Sequence, residues 1–324
     1  MAAAVVGDDI LERDPTTQML EERIADLLGK EDALFFPSGV QANQTAVWLL
    51  AERGSELVVE ANAHLVHYEM AGVAGLAGVQ IRPVTTQDGV LTAEQVALAI
   101  RPEGIHTPRT SALAVENTHN AAGGKVMPTV VWDGLVALAE EQQLPIHLDG
   151  ARLWNAAAAL GETPERLARG ATTVSVCLSK GLGCPVGSCL AGTAAFIGEA
   201  RRVRRRFGGA MRQSGILGAA GLYALEHNLT RIREDHANAR LLAQHLRGHP
   251  AVRPLTPESN IVMLDLVGPG LTADVVIPLL TQAGVLVVQF SPTRLRAVTH
   301  LDVTTEDVRT AAGLIARVLD SLGA

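Results

Sequence analysis

Lys180 follows an apolar run and leads into glycines, in SVCLSKGLGCPVG, and Asp149 ends another such run thirty-one residues earlier, in LPIHLDGARLWNA. An amine can condense with a carbonyl group, and a buried carboxylate can keep a facing base protonated. Each residue alone has a plainer explanation. A lysine just past a strand is commonly a solvated chain end, and Asp149 with Arg152 three residues later could be an ion pair holding a turn. Position argues for more. ATTVSVCLS is rich in β-branched and apolar residues and lies between Gly170 and Gly181, which predicts a buried strand ending at Ser179 with Lys180 at its carboxyl end. In open α/β sheets that is the edge where ligands bind.

A strand-end aspartate followed by a strand-end lysine is the order expected of a pyridoxal phosphate (PLP) site, with the lysine as Schiff base and the aspartate against the pyridinium nitrogen. An ion pair about 4 Å long at an effective dielectric near 20 is worth about 4 kcal/mol, or roughly three pKa units, enough to keep the ring protonated as an electron sink. A phosphate needs a helix N-terminus. ALFFPSGVQANQTAVWLL offers a strand, a turn at Ser38 and Gly39, and a helical run, although an ordinary strand-to-helix turn reads the same way. GLGCPVG is no dinucleotide fingerprint, because its third glycine comes one residue late and it follows the lysine. His64 and His67 in ANAHLVHYEMAG and His119 in AVENTHNAAGG suit structural roles, but an imidazole at the sheet edge could also stack on a ring or move a proton.

The surrounding elements fit a sheet that brings such residues together. DPTTQMLEERIADLLG predicts a helix capped by Asp14, with Pro15 in the first turn and Gly29 at its end. ALFF, ELVVE, QIRPV, SALAVE, LPIHLD and TTVSVCLS then read as strands separated by helical stretches such as PTVVWDGLVALAEEQQ, the pattern of a helix-covered, mainly parallel sheet. After SGILGAAGLYALEHNL and a charged helix through IREDHANARLLAQHLRG, the strands NIVMLDL, GVLVVQF and LRAVTHL and a last helix TTEDVRTAAGLIARVLDSLG predict a smaller α+β domain. The expected division is 1–235 for the large domain and 236–324 for the small one.

With 324 residues, 48% of them hydrophobic, the chain can bury a large core, and its net charge of -7 argues against a nucleic-acid partner despite the basic run RRVRRRFGG from Arg201 to Gly209. That run reads as a solvated helix face, or as arginines kept for an anionic ligand or a neighbouring subunit. Cys177, Cys184 and Cys189 lack zinc-site spacing and form no even set, so they read as reduced packing residues, and no metal site is expected. MAAAVVGDD has neither the basic leader of a signal peptide nor the length of a membrane span, which points to the cytoplasm and away from membranes.

In order along the chain, GDD, PSG, AHLVHYE, ENTHN, HLDGAR, CLSKGLGCPVG and GGAMRQSGILGAAGLYAL resemble the low-specificity L-threonine aldolases, PLP enzymes of the aspartate aminotransferase fold. The resemblance runs from about Gly7 to the C-terminus and is densest between residues 112 and 225. It implies cleavage of threonine, allo-threonine and related β-hydroxy-α-amino acids to glycine and an aldehyde, in a homotetramer built of dimers that share active sites. It makes Lys180 the Schiff-base lysine, Asp149 the pyridinium partner and His64 the imidazole stacked on the ring. Ser38, Gly39, Val40, Ser179 and Arg212, the last from a neighbouring subunit, go with the cofactor. Arg152, which also borders the cofactor, and Arg296 go to the substrate carboxylate, and His119 and Tyr68 to the rest of the substrate. The resemblance leaves two other readings open: a different PLP reaction on small amino acids, such as racemisation or β-elimination, and a PLP-binding protein with impaired turnover. Two departures stand out. Val40 replaces the usual threonine after Ser-Gly, and the LRSDTVTRP-type segment expected before GDD, which supplies a substrate-binding serine, is missing, so weaker substrate binding is expected.

Overall fold

Asp14 caps the first helix by accepting a hydrogen bond from the Thr17 amide at 2.9 Å, Pro15 opens its first turn, and Gly29 ends it in the left-handed conformation at φ 60°. This is α1 (Pro15–Leu28) of the computed structural model, which describes residues 1–102 and 104–323.

Seven strands make the first sheet: β1 (Asp32–Phe36), β2 (Glu56–Glu60), β3 (Gln80–Val84), β4 (Thr110–Glu116), β5 (Ile146–Gly150), β6 (Thr173–Cys177) and β7 (Ser188–Gly192). Their order is β1-β7-β6-β5-β4-β2-β3. Strands β2 to β6 pair in parallel, and β7 runs antiparallel to both β1 and β6. The connecting helices are α2 (Gly39–Leu50), the short α3 (His64–His67), α4 (Ala93–Ala99), α5 (Thr129–Glu141), α6 (Leu153–Leu160), α7 (Pro164–Ala168), α8 (Ala194–Arg206) and α9 (Gly215–His227). Strands β2, β5, β6 and β7 are buried along their whole length, as inner strands of a helix-covered sheet must be. The less buried β3 carries Pro83 and lies at the edge, where a missing N–H costs nothing.

All six expected strands form. The sixth ends at Cys177 rather than Ser179, because just beyond the Cys177–Ser188 pair the chain turns, the Leu178 carbonyl accepting from the Cys184 amide at 3.1 Å and the Lys180 carbonyl from the Gly183 amide at 2.9 Å. The seventh, SCLAG, has no β-branched residue and gave no strand signal in the sequence.

Residues Met1–Ala122 and Val126–Leu229 form one compact unit, and Gly123–Lys125 with the chain from Thr230 onward forms another. Residue 235 therefore falls inside α10 (Ile232–Leu246), a helix of the second unit. That unit has β8 (Val252–Pro254), β9 (Ile261–Leu266), β10 (Val288–Ser291) and β11 (Arg294–Val298) in an antiparallel sheet of order β10-β11-β9-β8. With α11 (Ala273–Gln282) and α12 (Thr305–Ser321) it encloses a core that includes Leu242, Val262, Leu264, Leu280, Ile315 and Leu319. The three cysteines are free and buried. Among the described residues no helix is long and apolar enough to cross a membrane.

Candidate active site

The parallel register sets a row of polar side chains across the middle of the first sheet. Glu116 on β4 pairs with Asp149 on β5, and Asp149 pairs with Ser175 on β6. One step back, His147 pairs with Thr173. Because successive strand residues alternate faces, His147 and Asp149 point the same way. That face meets α2, and Asn43 is the side chain that reaches it.

Every polar atom of Asn43 is used. Its Nδ2 donates to Asp149 Oδ2 and Glu69 Oε1, both at 2.8 Å. Its Oδ1 accepts from Ser175 Oγ at 2.7 Å and stands 3.1 Å from His147 Nε2. Burial presses the His147 pKa down to about 4, against the pull of the Asp149 charge. The ring is therefore neutral at neutral pH, with Nε2–H donating to Asn43 and Nδ1 accepting from Thr173 Oγ1 at 2.9 Å. An amide flipped by half a turn would set its oxygen against two carboxylates, so the orientation is fixed. Asp149, 3% exposed, takes its other bond from the Ala151 amide at 3.0 Å.

Glu69 extends this network to His64. Its Oε2 accepts from Gln44 Nε2 at 2.6 Å and its Oε1 lies 2.8 Å from His64 Nδ1. Burial of His64 opposes its charging, but the Glu69 hydrogen bond and the Asp149 and Glu69 charges outweigh it and hold the pKa above its ordinary value. The His64 amide is tied to Glu116 Oε2 at 2.7 Å, and Glu116 Oε1 also accepts the Asn120 amide at 2.9 Å. Burial, then the Asp149 charge, pushes the Glu116 pKa up. Strand-end carboxylates thus anchor the loops that carry the histidines.

One cleft of about 270 Å³ collects Ser38, Gly39, Val40, His64, Asp149, Ser179 and Lys180 from the residues expected in the sequence, together with Asn43. Ser38 caps α2, its hydroxyl oxygen accepting from the Gln41 amide at 3.2 Å and its O–H left to donate. Gly39 sits in close quarters, since a Cβ there would stand 3.0 Å from Cys177 Sγ. The half-buried Lys180 amine has no hydrogen bond or ion pair among the described residues.

The remaining expected residues lie elsewhere. Arg152 precedes α6, its Nη1 donating to Asn120 Oδ1 at 3.1 Å. His119 is 2% exposed and sits outside the cleft wall, with Nε2 at 2.9 Å from Glu60 Oε2 and Nδ1 accepting from the Ala122 amide at 3.2 Å. Burial opposes its charging, yet Glu60 and Glu116 hold its pKa above the ordinary value. Tyr68 is half exposed, its ring 5.4 Å from that of His64. The exposed Arg212 pairs with Asp8 at 2.6 Å and does not line this cleft. Arg296 is on β11 of the second unit. Among the described residues, His64, Glu69 and Asp149 offer three possible metal ligands within 4.8 Å of one another, though the Glu69 and Asp149 oxygens already accept bonds from Asn43.

Residues 1–268 match the family described as beta-eliminating lyase. The chain is 40% identical over 315 residues to low-specificity L-threonine aldolase 1 of Arabidopsis thaliana, covering 95% of this chain and 88% of that one. It is also 40% identical over 313 residues to the low specificity L-threonine aldolase of Escherichia coli K12, covering 96% and 92%. Among solved structures, the Leishmania major threonine aldolase superposes with a TM-score of 0.82 at 18% identity, over 96% of this chain and 93% of that one. The serine palmitoyltransferase of Sphingomonas wittichii gives 0.78 at 18% identity, over 99% and 80%. At that identity the structural matches speak for the fold alone.

Proposed function

Because the chain belongs to the beta-eliminating lyase family and, within it, to the low-specificity L-threonine aldolases, we infer that it is a pyridoxal-phosphate-dependent aldehyde-lyase. It cleaves threonine and related β-hydroxy-α-amino acids to glycine and an aldehyde. The observation that carries this reading is the convergence of an unspent amine, Lys180, a buried carboxylate, Asp149, and a charged-partnered imidazole, His64, in one cleft floored by a helix N-terminus.

The residues fit the cofactor. The first turn of α2 and the Ser38 hydroxyl suit a phosphate, Asp149 suits a protonated ring nitrogen, and Lys180 suits an aldehyde carbon. When bound, PLP supplies an electron sink for the pair released at Cα. Asp149, held between Asn43 and the Ala151 amide, keeps a proton on the ring nitrogen. Lys180 is the residue that would hold the cofactor at its aldehyde carbon. His64, with Nδ1 bound to Glu69, would lie against the ring and keep Nε2 for proton exchange. Arg152, which starts α6 beside the cleft residue Ala151 and holds Asn120 through Nη1, would grip the substrate carboxylate. Cleavage needs a base to take the β-hydroxyl proton as the Cα–Cβ bond breaks, and a proton returned to Cα to complete glycine. His119 and Tyr68 are assigned to the substrate side.

A homotetramer of dimers sharing active sites belongs to the same proposal, and it would let Arg212 serve a neighbouring cleft. Support comes from Tyr68 and Met70, 50% and 96% exposed, in the segment that carries His64. A cytoplasmic site of action and an amino acid as the small-molecule partner complete it. The test is product analysis of the PLP-loaded protein with L-threonine and L-allo-threonine. Glycine and acetaldehyde in equal amounts are expected. A 2-keto acid with ammonia would instead mark β-elimination, and D-allo-threonine from L-threonine, or D-threonine from L-allo-threonine, would mark racemisation at Cα.

A further inference from the structure

The arginine-rich run at the end of α8 is only partly a solvent face. Ile197, Ala200 and Arg204 share its buried stripe, and Arg204 is 2% exposed. Arg204 Nη1 donates to the Phe35 carbonyl at 2.6 Å and Nη2 to Asp9 Oδ2 at 2.8 Å. The Phe35 amide in turn donates to Glu21 Oε1 of α1 at 2.9 Å. Among the described residues strand β1 pairs only with β7, so Glu21 and Arg204 together satisfy Phe35 on its open edge as a neighbouring strand would.

The same helix end reaches the other side of the turn. Gln41, in the first turn of α2, donates its Nε2 to the Phe207 carbonyl at 3.0 Å. Gly209 makes room for it, since a Cβ there would collide with Gln41 Oε1. The Phe207 ring stands edge-on to Trp48 of α2 at 5.4 Å, and the Arg206 guanidinium lies 5.5 Å from the centre of that indole. The segment Pro37–Val40 is thus gripped where β1 enters it and where α2 leaves it.

We propose that the end of α8 is a splint for this turn, and that Arg204 and Gln41 are positioning residues that set Ser38 and the α2 amides at the spacing a phosphate requires. The arginines do this without touching the ligand. The proposal rests on the turn being the phosphate site. Because Ser38 is exposed and lies in no strand, its position depends on what holds the two flanking elements.

The test compares dissociation constants of the full chain for pyridoxal phosphate and for pyridoxal, which differ only in the phosphate, in wild type, Ser38→Ala, Gln41→Leu and the paired Arg204→Met/Asp9→Asn. Gln41→Leu is included because it leaves no buried charge behind. Both positioning variants should lower the preference for the phosphorylated form by about tenfold while pyridoxal affinity stays within about twofold. A merely structural role would weaken both ligands together, and that result, or an unchanged preference, overturns the proposal. If Ser38→Ala reduces the preference and Gln41→Leu does not, the splint alone is wrong. If Ser38→Ala leaves it unchanged, the phosphate reading of the turn fails and the splint with it.

Discussion

Around Asp149 in the cleft, Asn43 has all its side-chain polar atoms engaged and His147 is fixed as one neutral tautomer. The Lys180 amine of the same cleft has no hydrogen bond or ion pair among the described residues, and the Ser38 hydroxyl holds only a helix amide. The difference separates two tasks. Electrostatic groups that must not reorganise during a reaction are bonded in advance, whereas groups that exchange partners with each turnover stay free. The contrast can be broken from either side.

The largest effect belongs to the free groups. Lys180→Ala should cut aldehyde release by at least about a thousandfold and leave the thermal midpoint unchanged, since no bond holding the fold is lost. A coupled aldehyde assay beside a melting curve checks this. Retained activity would remove Lys180 from the chemistry.

Asp149→Asn attacks the fixed groups. Losing an ion pair worth about 4 kcal/mol should lower turnover by roughly 100- to 1,000-fold, with much less effect on PLP content. Equal losses in absorbance-measured PLP and in kcat would make Asp149 a purely structural residue.

How far these groups were readable from the sequence follows the same division. Lys180, Asp149 and Ser38 lie at strand or helix ends, and local patterning locates such ends well. Asn43 lies inside a helix 106 residues from Asp149, and no local pattern links the two, so Asn43, Glu69, Glu116 and His147 went unread. Arg204 was visible in principle. Its spacing from Ile197 and Ala200 places it on the apolar stripe of α8, but among five arginines the charge of the run masked the one that is buried. Strand β7 was missed because small residues carry little strand preference.

A smaller effect should come from Glu69→Gln, which keeps an acceptor beside His64 and removes the charge. In wild type, Glu69 and Asp149 raise the His64 pKa despite burial. The stabilisation from this group is therefore complete below the unfolded imidazole pKa of about 6.5 and is lost as pH rises through the elevated folded value. Without the Glu69 charge, His64 should titrate at lower pH than in wild type, and that loss should move to lower pH with it. Ring-proton NMR across the titration, with stability measured at matching pH, tests both statements. An unmoved His64 titration would mean that Glu69 only packs against it.

The smallest effect is a gain among the free groups. Val40 lines the cleft on the first turn of α2, 37% exposed, where the resemblance to threonine aldolases expects a threonine. Valine and threonine have nearly the same shape and the same β-branching, so Val40→Thr adds a hydroxyl to the phosphate turn without crowding Gly39 or Ser38. One further hydrogen bond to an anion should tighten PLP binding by roughly three- to tenfold and leave pyridoxal unaffected. Val40 takes no part in the Asp149 hydrogen bonds, so kcat at saturating PLP should not change. Equilibrium dialysis with both ligands decides it. A gain shared equally by pyridoxal would show that the hydroxyl acts on the shape of the turn, and no gain at all would show that Ser38 and the α2 amides already hold the phosphate as firmly as this turn allows.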